Sequence, residues 1–327
     1  MIIAVDVGYS HTKVMAANGR QAIFPSVAGE VNKVEFDFVG RDDYIQVTFE
    51  GAPYFVGQAA LEQSRFNKSM QRDRFWWRSK AYTSFFLAAI SEMTSATKVT
   101  VQLVSGLPVL YFSDKDAWRE SYVRHWTFRR NEQPMQHVQV EEALILPQGL
   151  AAVLSVAMDD SGRIVDEDVA NGRIGLIDIG GHTTNLATFD KLKPVVPQTG
   201  SADQGMWDFV LSLEPRINSA FPGLNLRGHS MLPVIESKSI RSFGKDKDVS
   251  GIIDDVAEHF TEQMESEVNR IWGNAASLDK LFIAGGGGRH LADYIKAKFP
   301  NAVLVDDAQW ANARGYLKYG IRTWKGG

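Results

Sequence analysis

Two short stretches of this chain carry its most specific chemistry. Ile3-Ala4-Val5-Asp6-Val7-Gly8-Tyr9-Ser10-His11-Thr12-Lys13 and Leu176-Ile177-Asp178-Ile179-Gly180-Gly181-His182-Thr183-Thr184-Asn185 follow one plan. In each, an apolar run ends in aspartate, a glycine turn follows, and small hydroxyl residues lead into a second strand. A single Asp-x-Gly turn says little, because such turns are common in hairpins. Two copies about half a chain apart point to a pair of strand–turn–strand loops that face each other and grip one nucleotide.

A triphosphate needs backbone N–H donors, a lysine and a divalent metal. Gly8 lets the first loop approach phosphate oxygens without a Cβ in the way. Ser10 and Thr12 are hydroxyl donors, of which strand alternation lets only some face the ligand, and Lys13 is the cation. Gly180, Gly181, Thr183 and Thr184 repeat the device. Asp6 and Asp178 would hold hydrated Mg2+ through its waters. The plainer alternative is a pair of hairpins whose aspartates cap backbone amides.

A third element is Phe282-Ile283-Ala284-Gly285-Gly286-Gly287-Gly288-Arg289-His290. Four glycines, 285–288, leaving a buried strand and entering a helix let a flat ligand face lie against backbone, with Gly285, Gly286 and Gly287 the candidate contacts. A dinucleotide fingerprint would place its spaced glycines near the start of a βαβ unit. Asp306 and Asp307 stand at the right distance for its acid, but the run lies near the C-terminus. Close packing of a strand end is the structural alternative.

The elements that must position these groups can be read from hydrophobic period. Ile2 to Val7 is a continuous apolar strand, buried on both faces. Thr12 to Ala17 and Gln21 to Phe24 follow, joined at Asn18-Gly19. Strand-like pieces recur at Phe36–Val39, Ile45–Phe49 and Tyr54–Val56. Lys80 to Met93 has helical period, Val99 to Val104 is a strand, and Asp114 to His125 is a helix. Strands around Phe128, at Val138–Glu141 and at Leu144–Pro147 precede a helix from Gly149 to Met158.

The same opening restarts at Arg173 and continues through Asn185–Phe189 and Val195–Val196. Helices follow at Ala202–Ser219 and Ile252–Trp272, then a strand at Lys280–Ala284 and a helix from His290 to Phe299. An aromatic helix from Ala308 to Trp324 closes the chain. Alternating strands and helices predict an α/β fold of mixed sheets. The polar stretch Asp159–Gly172 is the candidate boundary. Domain I is expected over 1–165 with a small inserted subdomain at about 25–74. Domain II is expected over 166–327 with another at about 220–251.

Bulk composition excludes several classes. A formal charge of −4 gives no global attraction to nucleic acid or anionic lipid. There is no cysteine, hence no disulfide and no thiolate metal site. No apolar run is long enough to span a bilayer, and the N-terminus lacks a basic segment, so a cytoplasmic location is expected.

On these residues the chain resembles the actin / sugar kinase / heat-shock ATPase superfamily. Within it the chain is similar to bacterial and archaeal actin-like proteins of the ParM/StbA plasmid-segregation type, over nearly its whole length. Asp6–Lys13 matches the first phosphate motif, Asp178–Asn185 the second and Ile283–Gly288 the adenosine motif. Pro147–Ala152 resembles the first connecting helix and Ala311–Tyr316 the second. Ser105–Val109 and Val56–Ala60 match shorter family patterns.

The resemblance implies a two-domain ATPase that polymerises into nucleotide-dependent filaments, with ATP (GTP the alternative) and Mg2+ as ligands. It makes Gln148 the residue that orients the attacking water. An amide is no strong base, so turnover should be slow. Tyr9 stands where the family often has Ser or Thr, His182 replaces a Thr or Ser, and Asn185 replaces a common Asp. These departures bear on the detail of phosphate and metal ligation.

A sugar or acetate kinase shares the scaffold, but needs a carboxylate base near its acceptor, and Gln148 fills that place. A chaperone would need a peptide-binding domain after the ATPase. Aromatics outside the motifs, Phe75-Trp76-Trp77-Arg78, Tyr111-Phe112, Tyr316, Tyr319 and Trp324, are mostly core with some interface candidates. The basic run Arg65, Lys68, Arg72, Arg74, Arg78 and Lys80 is either a solvated face or a contact for the filament or a DNA-bound adaptor protein. No helix-turn-helix or zinc pattern supports direct DNA reading.

Overall fold

The computed structural model describes residues 1–31, 44–64, 67–69 (backbone only) and 73–325. The strand expected at Phe36–Val39 lies outside the described residues, as do Arg65 and Arg72. The chain forms two compact units. One comprises Met1–Asp166 with Asn312–Gly327, the other Glu167–Ala311.

The first unit is built on a ten-stranded sheet. Third in its spatial order is Ile2–Val7, whose six residues are all buried, as a run of β-branched residues covered on both faces requires. His11–Ala16 returns antiparallel beside it, and Gln21–Pro25 pairs outside that. On the other side Lys98–Leu107 and then Gln136–Pro147 run parallel to it. Three carboxyl ends therefore meet one edge: Val7-Gly8, Leu107-Pro108 and Pro147-Gln148. Crevices at such an edge are where open α/β sheets bind ligands.

The helix Lys80–Met93 covers this sheet. Ser79 caps it by accepting a hydrogen bond from Tyr82 N, and Tyr82, Phe85, Phe86, Ile90 and Met93 are buried in the core. Tyr82 also accepts from Trp118 Nε1 at 3.2 Å, and Tyr122 OH donates to Trp77 O at 2.6 Å. Trp118 and Tyr122 thus find partners for their polar tips, while the buried Trp77 Nε1 does not. The sheet continues through His125–Arg130 into Ile45–Phe49, Ala52–Val56, Val27–Glu30 and Asn67–Ser69.

The tail corrects the expected second boundary. It was placed in domain II, yet the helix Ala311–Lys325 packs in the first unit from Asn312 onward. A Cβ on Gly315 would sit 1.7 Å from Ala151 O, so the tail touches the helix Leu150–Ala157 backbone to backbone. Lys318 then donates to Ser155 O at 2.8 Å and Met158 O at 2.7 Å, closing the carbonyl end of that helix.

The second unit repeats the first unit's central device. Arg173–Ile179 is antiparallel to Thr184–Asp190, and Lys280–Ala284 runs parallel on its other side. Ala302–Leu304 extends the sheet. The helices Met206–Ala220, Ser250–Trp272 and Gly288–Lys298 bury Phe209, Leu213, Phe260, Met264, Leu291 and Ile295 against it. The helix Leu232–Ser237 and the hairpin Ser239–Ser242/Lys245–Asp248 occupy the region read as an insertion.

Three boundaries differ from expectation. The helix read from Asp114 spans Lys115–Tyr122, because His125 enters a strand. The strand read at Val195–Val196 falls at Lys193–Pro194, with a 3-10 turn over Val196–Gln198. The helix read from Ala202 begins at Met206, since Gly200–Ala202 pairs with Thr184–Asp190.

Candidate nucleotide-binding site

In the first hairpin Asp6 stands opposite Lys13 and Val7 opposite Thr12. In the second, Asp178 stands opposite Asn185 and Ile179 opposite Thr184. The turns close alike: Gly8 N donates to His11 O at 3.1 Å, and Gly180 N to Thr183 O at 2.9 Å. A Cβ on Gly8 would lie 3.0 Å from His11 O, and one on Gly180 3.1 Å from Thr183 O. Both turns are thus too tight for easy substitution.

Asp6 and Asp178 are buried, at 4% and 7% exposure. Lys13 Nζ pairs with Asp6 Oδ2 at 2.9 Å. Tyr9, Ser10, His182 and Thr183 are half-buried around the turns, and Gly181 is buried.

Thr12 and Thr184 are not ligand donors. Thr12 is fully buried, its hydroxyl 2.9 Å from Ser26 Oγ, which donates to Gly8 O at 2.7 Å. Ser26 N also donates to Ser10 O at 2.9 Å. Thr184 donates to Gln204 O at 2.7 Å. At the same step of each hairpin, then, the hydroxyl holds the loop from behind.

Ser26 and Gly205 are the supporting residues that sequence reasoning missed. A Cβ on Gly205 would lie 2.6 Å from both Gly181 O and Thr183 N. Met206 N and Trp207 N donate to Gly180 O and Gly181 O at 3.0 and 2.8 Å, and Gly205 N donates to Asp208 Oδ2 at 2.8 Å. The N-terminus of Met206–Ala220 is thereby fastened to the second loop. Only the local pattern Gly205-x-x-Asp208 ahead of a helix hinted at it.

The glycine run comes to the same place. Gly285 has φ +86, and a Cβ there would lie 2.3 Å from Ile179 O and 2.5 Å from Asp178 Oδ1. Gly287 N donates to Ile179 O at 3.0 Å. Gly285 and Gly287 are therefore required by packing against the second hairpin. Gly286 is not: its nearest neighbour would be Gln309 Cγ at 3.8 Å, an ordinary contact.

In the first unit Gln148 N donates to Leu107 O at 2.8 Å, placing Gln148 at the carboxyl edge beside the first hairpin. Gly149, with φ +86, opens the next helix, and its N–H is taken by Asn312 Oδ1 at 3.1 Å. Gln148 does not cap that helix, and its half-buried side chain is left for other work.

Among the described residues no cluster of three or more His, Asp or Glu could hold a metal unaided. Mg2+ fits this donor set in its usual manner, through one or two carboxylates with waters and substrate phosphates. Asp6 in the first unit and Asp178 in the second are each a buried carboxylate that would suit such a role. Beside the glycine run, burial and the neighbouring Arg289 push the His290 imidazole below its ordinary pKa.

The basic run resolves into ordinary surface pairs where it is described. Arg74 makes two 2.7 Å contacts with Asp114, Arg78 lies over the rings of Phe75 and Trp77, and Lys80 is 3.7 Å from Glu50. Trp77 and Tyr316 are core, while Phe75 is 43% exposed.

Residues 4–150 match the family model of the actin-like proteins' N-terminal domain. Residues 176–297 match the C-terminal model of the archaeal MreB-like actin homologues. An archaeal actin homolog of Thermoplasma acidophilum is 23% identical over 97% of both chains. A crystal structure of an archaeal actin homolog in complex with ADP superposes with a TM-score of 0.80 at 20% identity, covering 98% of this chain and 99% of that one. A ParM from a 15-stranded Clostridium botulinum filament does so with a TM-score of 0.78 at 24% identity and the same coverage.

Proposed function

We propose that this chain, a bacterial/archaeal actin-like protein of the ParM type, binds ATP with Mg2+, hydrolyses it slowly and polymerises into nucleotide-dependent filaments. The observation that carries the reading is the repeated hairpin, found in matching register in the two units.

Backbone amides at Gly8, Tyr9 and Ser10, and at Gly180, Gly181, His182 and Thr183, bind phosphate oxygens. Lys13 supplies the cation, and the flat face of the base lies against Gly285–Gly287. Bound Mg2+ neutralises charge on the phosphates, and Asp6 and Asp178 hold its waters. Gln148 orients the attacking water, and without a strong base turnover is slow enough to time filament lifetime.

The filament-forming ParM and the ADP-bound archaeal homolog support this reading through a shared fold. A DNA-bound adaptor, plasmid partition as the cargo task and a cytoplasmic location complete the proposal. No described helix is long and apolar enough to cross a membrane.

The test is sedimentation with electron microscopy in ATP, ADP and a non-hydrolysable ATP analogue, with GTP as a control. Filaments that form in ATP and fall apart on hydrolysis are expected. Soluble protein in every nucleotide, together with phosphorylation of a small acceptor, would replace the reading with a metabolic kinase.

A further inference from the structure

Phe243 is the most exposed large hydrophobic side chain among the described residues, at 101%. It occupies the tip of the hairpin formed by Ser239–Ser242 and Lys245–Asp248. Phe243 and Gly244 are its two turn residues, with φ of 48° and 77°. A two-residue turn with both φ positive favours Asn-Gly, and a bulky aromatic in this region is an outlier. One position thus combines backbone strain with open apolar surface, and neither helps the chain fold. The core contact of this hairpin is made by Ile240 instead, at 4% exposure. Lys245 and Lys247 follow the tip, both exposed.

Elsewhere on the same unit lies a groove of about 740 Å³ between Gly200–Ala202, Met206–Ala220 and Ser250–Trp272. Val256 and Phe260 line it beside Asp203, Asp208, Glu267, His259 and Arg216; Glu267 is held by Arg270 at 2.8 Å and Asp208 accepts from Gly205 N. We propose that the Phe243 tip of one copy of this chain seats in the groove of a second copy, with Lys245 and Lys247 facing the groove's carboxylates. The inference rests on the filament reading and names the contact.

The occupant is a second copy for two reasons. Lys245 and Lys247, which alternate with Asp246 and Asp248 on the strand after the tip, are opposite in charge to Asp203 and Glu267 of the groove. Tip and groove are also different surfaces of one chain, so their contact is heterologous, the kind that builds an open filament when its rotation does not close a ring. The groove wall matters too. Gln204 and Asp208 line it, and the same segment holds the second loop through Thr184 to Gln204 O and Met206 N to Gly180 O. A seated tip therefore presses on the backbone that shapes the phosphate turn, which links assembly to nucleotide.

The test pairs Phe243→Asn with a charge exchange, reading ATP-dependent pelleting over a range of protein concentrations. Asn suits the turn, so F243N should melt no lower than the parent and bind ATP equally. Its critical concentration should rise about tenfold or more, the scale of one lost aromatic anchor. K245E/K247E and D203K/E267K should each weaken assembly, and one chain carrying all four changes should recover it. A parent that forms filaments while F243N pellets equally well overturns the seating alone. Failure of the four-change chain to recover overturns the groove as receptor, and a lower melting temperature for F243N assigns Phe243 to folding instead. A parent that never forms filaments overturns both this inference and the filament reading.

Discussion

Lys13 Nζ reaches Asp6 Oδ2 at 2.9 Å from the neighbouring strand, directly across the first hairpin. At the matching step of the second hairpin Asn185 stands opposite Asp178. The two loops share a backbone plan but differ in charge. The first brings its own cation, held against a carboxylate until phosphate competes for it. Both partners are largely buried, 12% and 4% exposed, so the pair couples stability to binding.

Lys13→Met should lower stability by roughly 3 kcal/mol, because it strands a buried carboxylate. It should also weaken ATP at least about tenfold by removing a charge-assisted phosphate contact. Adding Asp6→Asn should restore the melting temperature but not the affinity. Thermal denaturation beside calorimetric titration separates the two effects.

Neighbouring glycines should part company. Gly285→Ala forces a Cβ onto Ile179 O and the Asp178 carboxylate at φ +86, and should cost on the order of 1–3 kcal/mol or more. Gly286→Ala meets no neighbour within 3.8 Å. It should melt like the parent and lose nucleotide affinity. Equal affinity for G286A and parent would remove the base from this loop.

How legible this was depends on how local the cause is. Ile2–Val7, Lys80–Met93 and Lys280–Ala284 stood out because an apolar run or a helical period is written into consecutive residues. The aspartate–glycine turns were equally plain. Thr12 was misread as a donor because alternation shows that a side chain faces one side, not which side is the core. Its partner Ser26 follows the neighbouring strand Gln21–Pro25, and nothing in the local pattern ties the two together. Gly205 escaped notice because its reason is a contact with Gly181 and Thr183, more than twenty residues earlier. The tail was assigned to the wrong unit for a similar cause: Gly315 answers to Ala151, which no window of local sequence contains.

Gln148→Ala should reduce ATP hydrolysis on the order of a hundredfold, the lower range for a group acting on a proton-bearing nucleophile. Nucleotide affinity should be unchanged, since Gln148 N, not its side chain, makes the structural bond to Leu107 O. Filaments of this variant should persist longer after ATP is exhausted in the parent. Phosphate release and turbidity decay measure the two.

Acid should weaken the protein through His290. Its folded pKa lies below the ordinary imidazole value, so the unfolded chain binds the extra proton first. Stability should be full above about pH 6.5 and fall as pH drops from there through the lowered folded value. His290→Gln should flatten that slope. The depressed carboxylates Asp159, Asp248 and Asp254 act in a separate window below pH 4, roughly. Melting temperatures between neutral and mildly acidic pH give the comparison.

The central claim is that both hairpins serve one nucleotide. Calorimetric titration of ATP with Mg2+ into the parent, Asp6→Ala and Asp178→Ala tests it most directly. One site per chain is predicted, with each substitution weakening that same binding event and blunting its dependence on Mg2+. Two independent sites, or binding indifferent to either aspartate, would contradict the account.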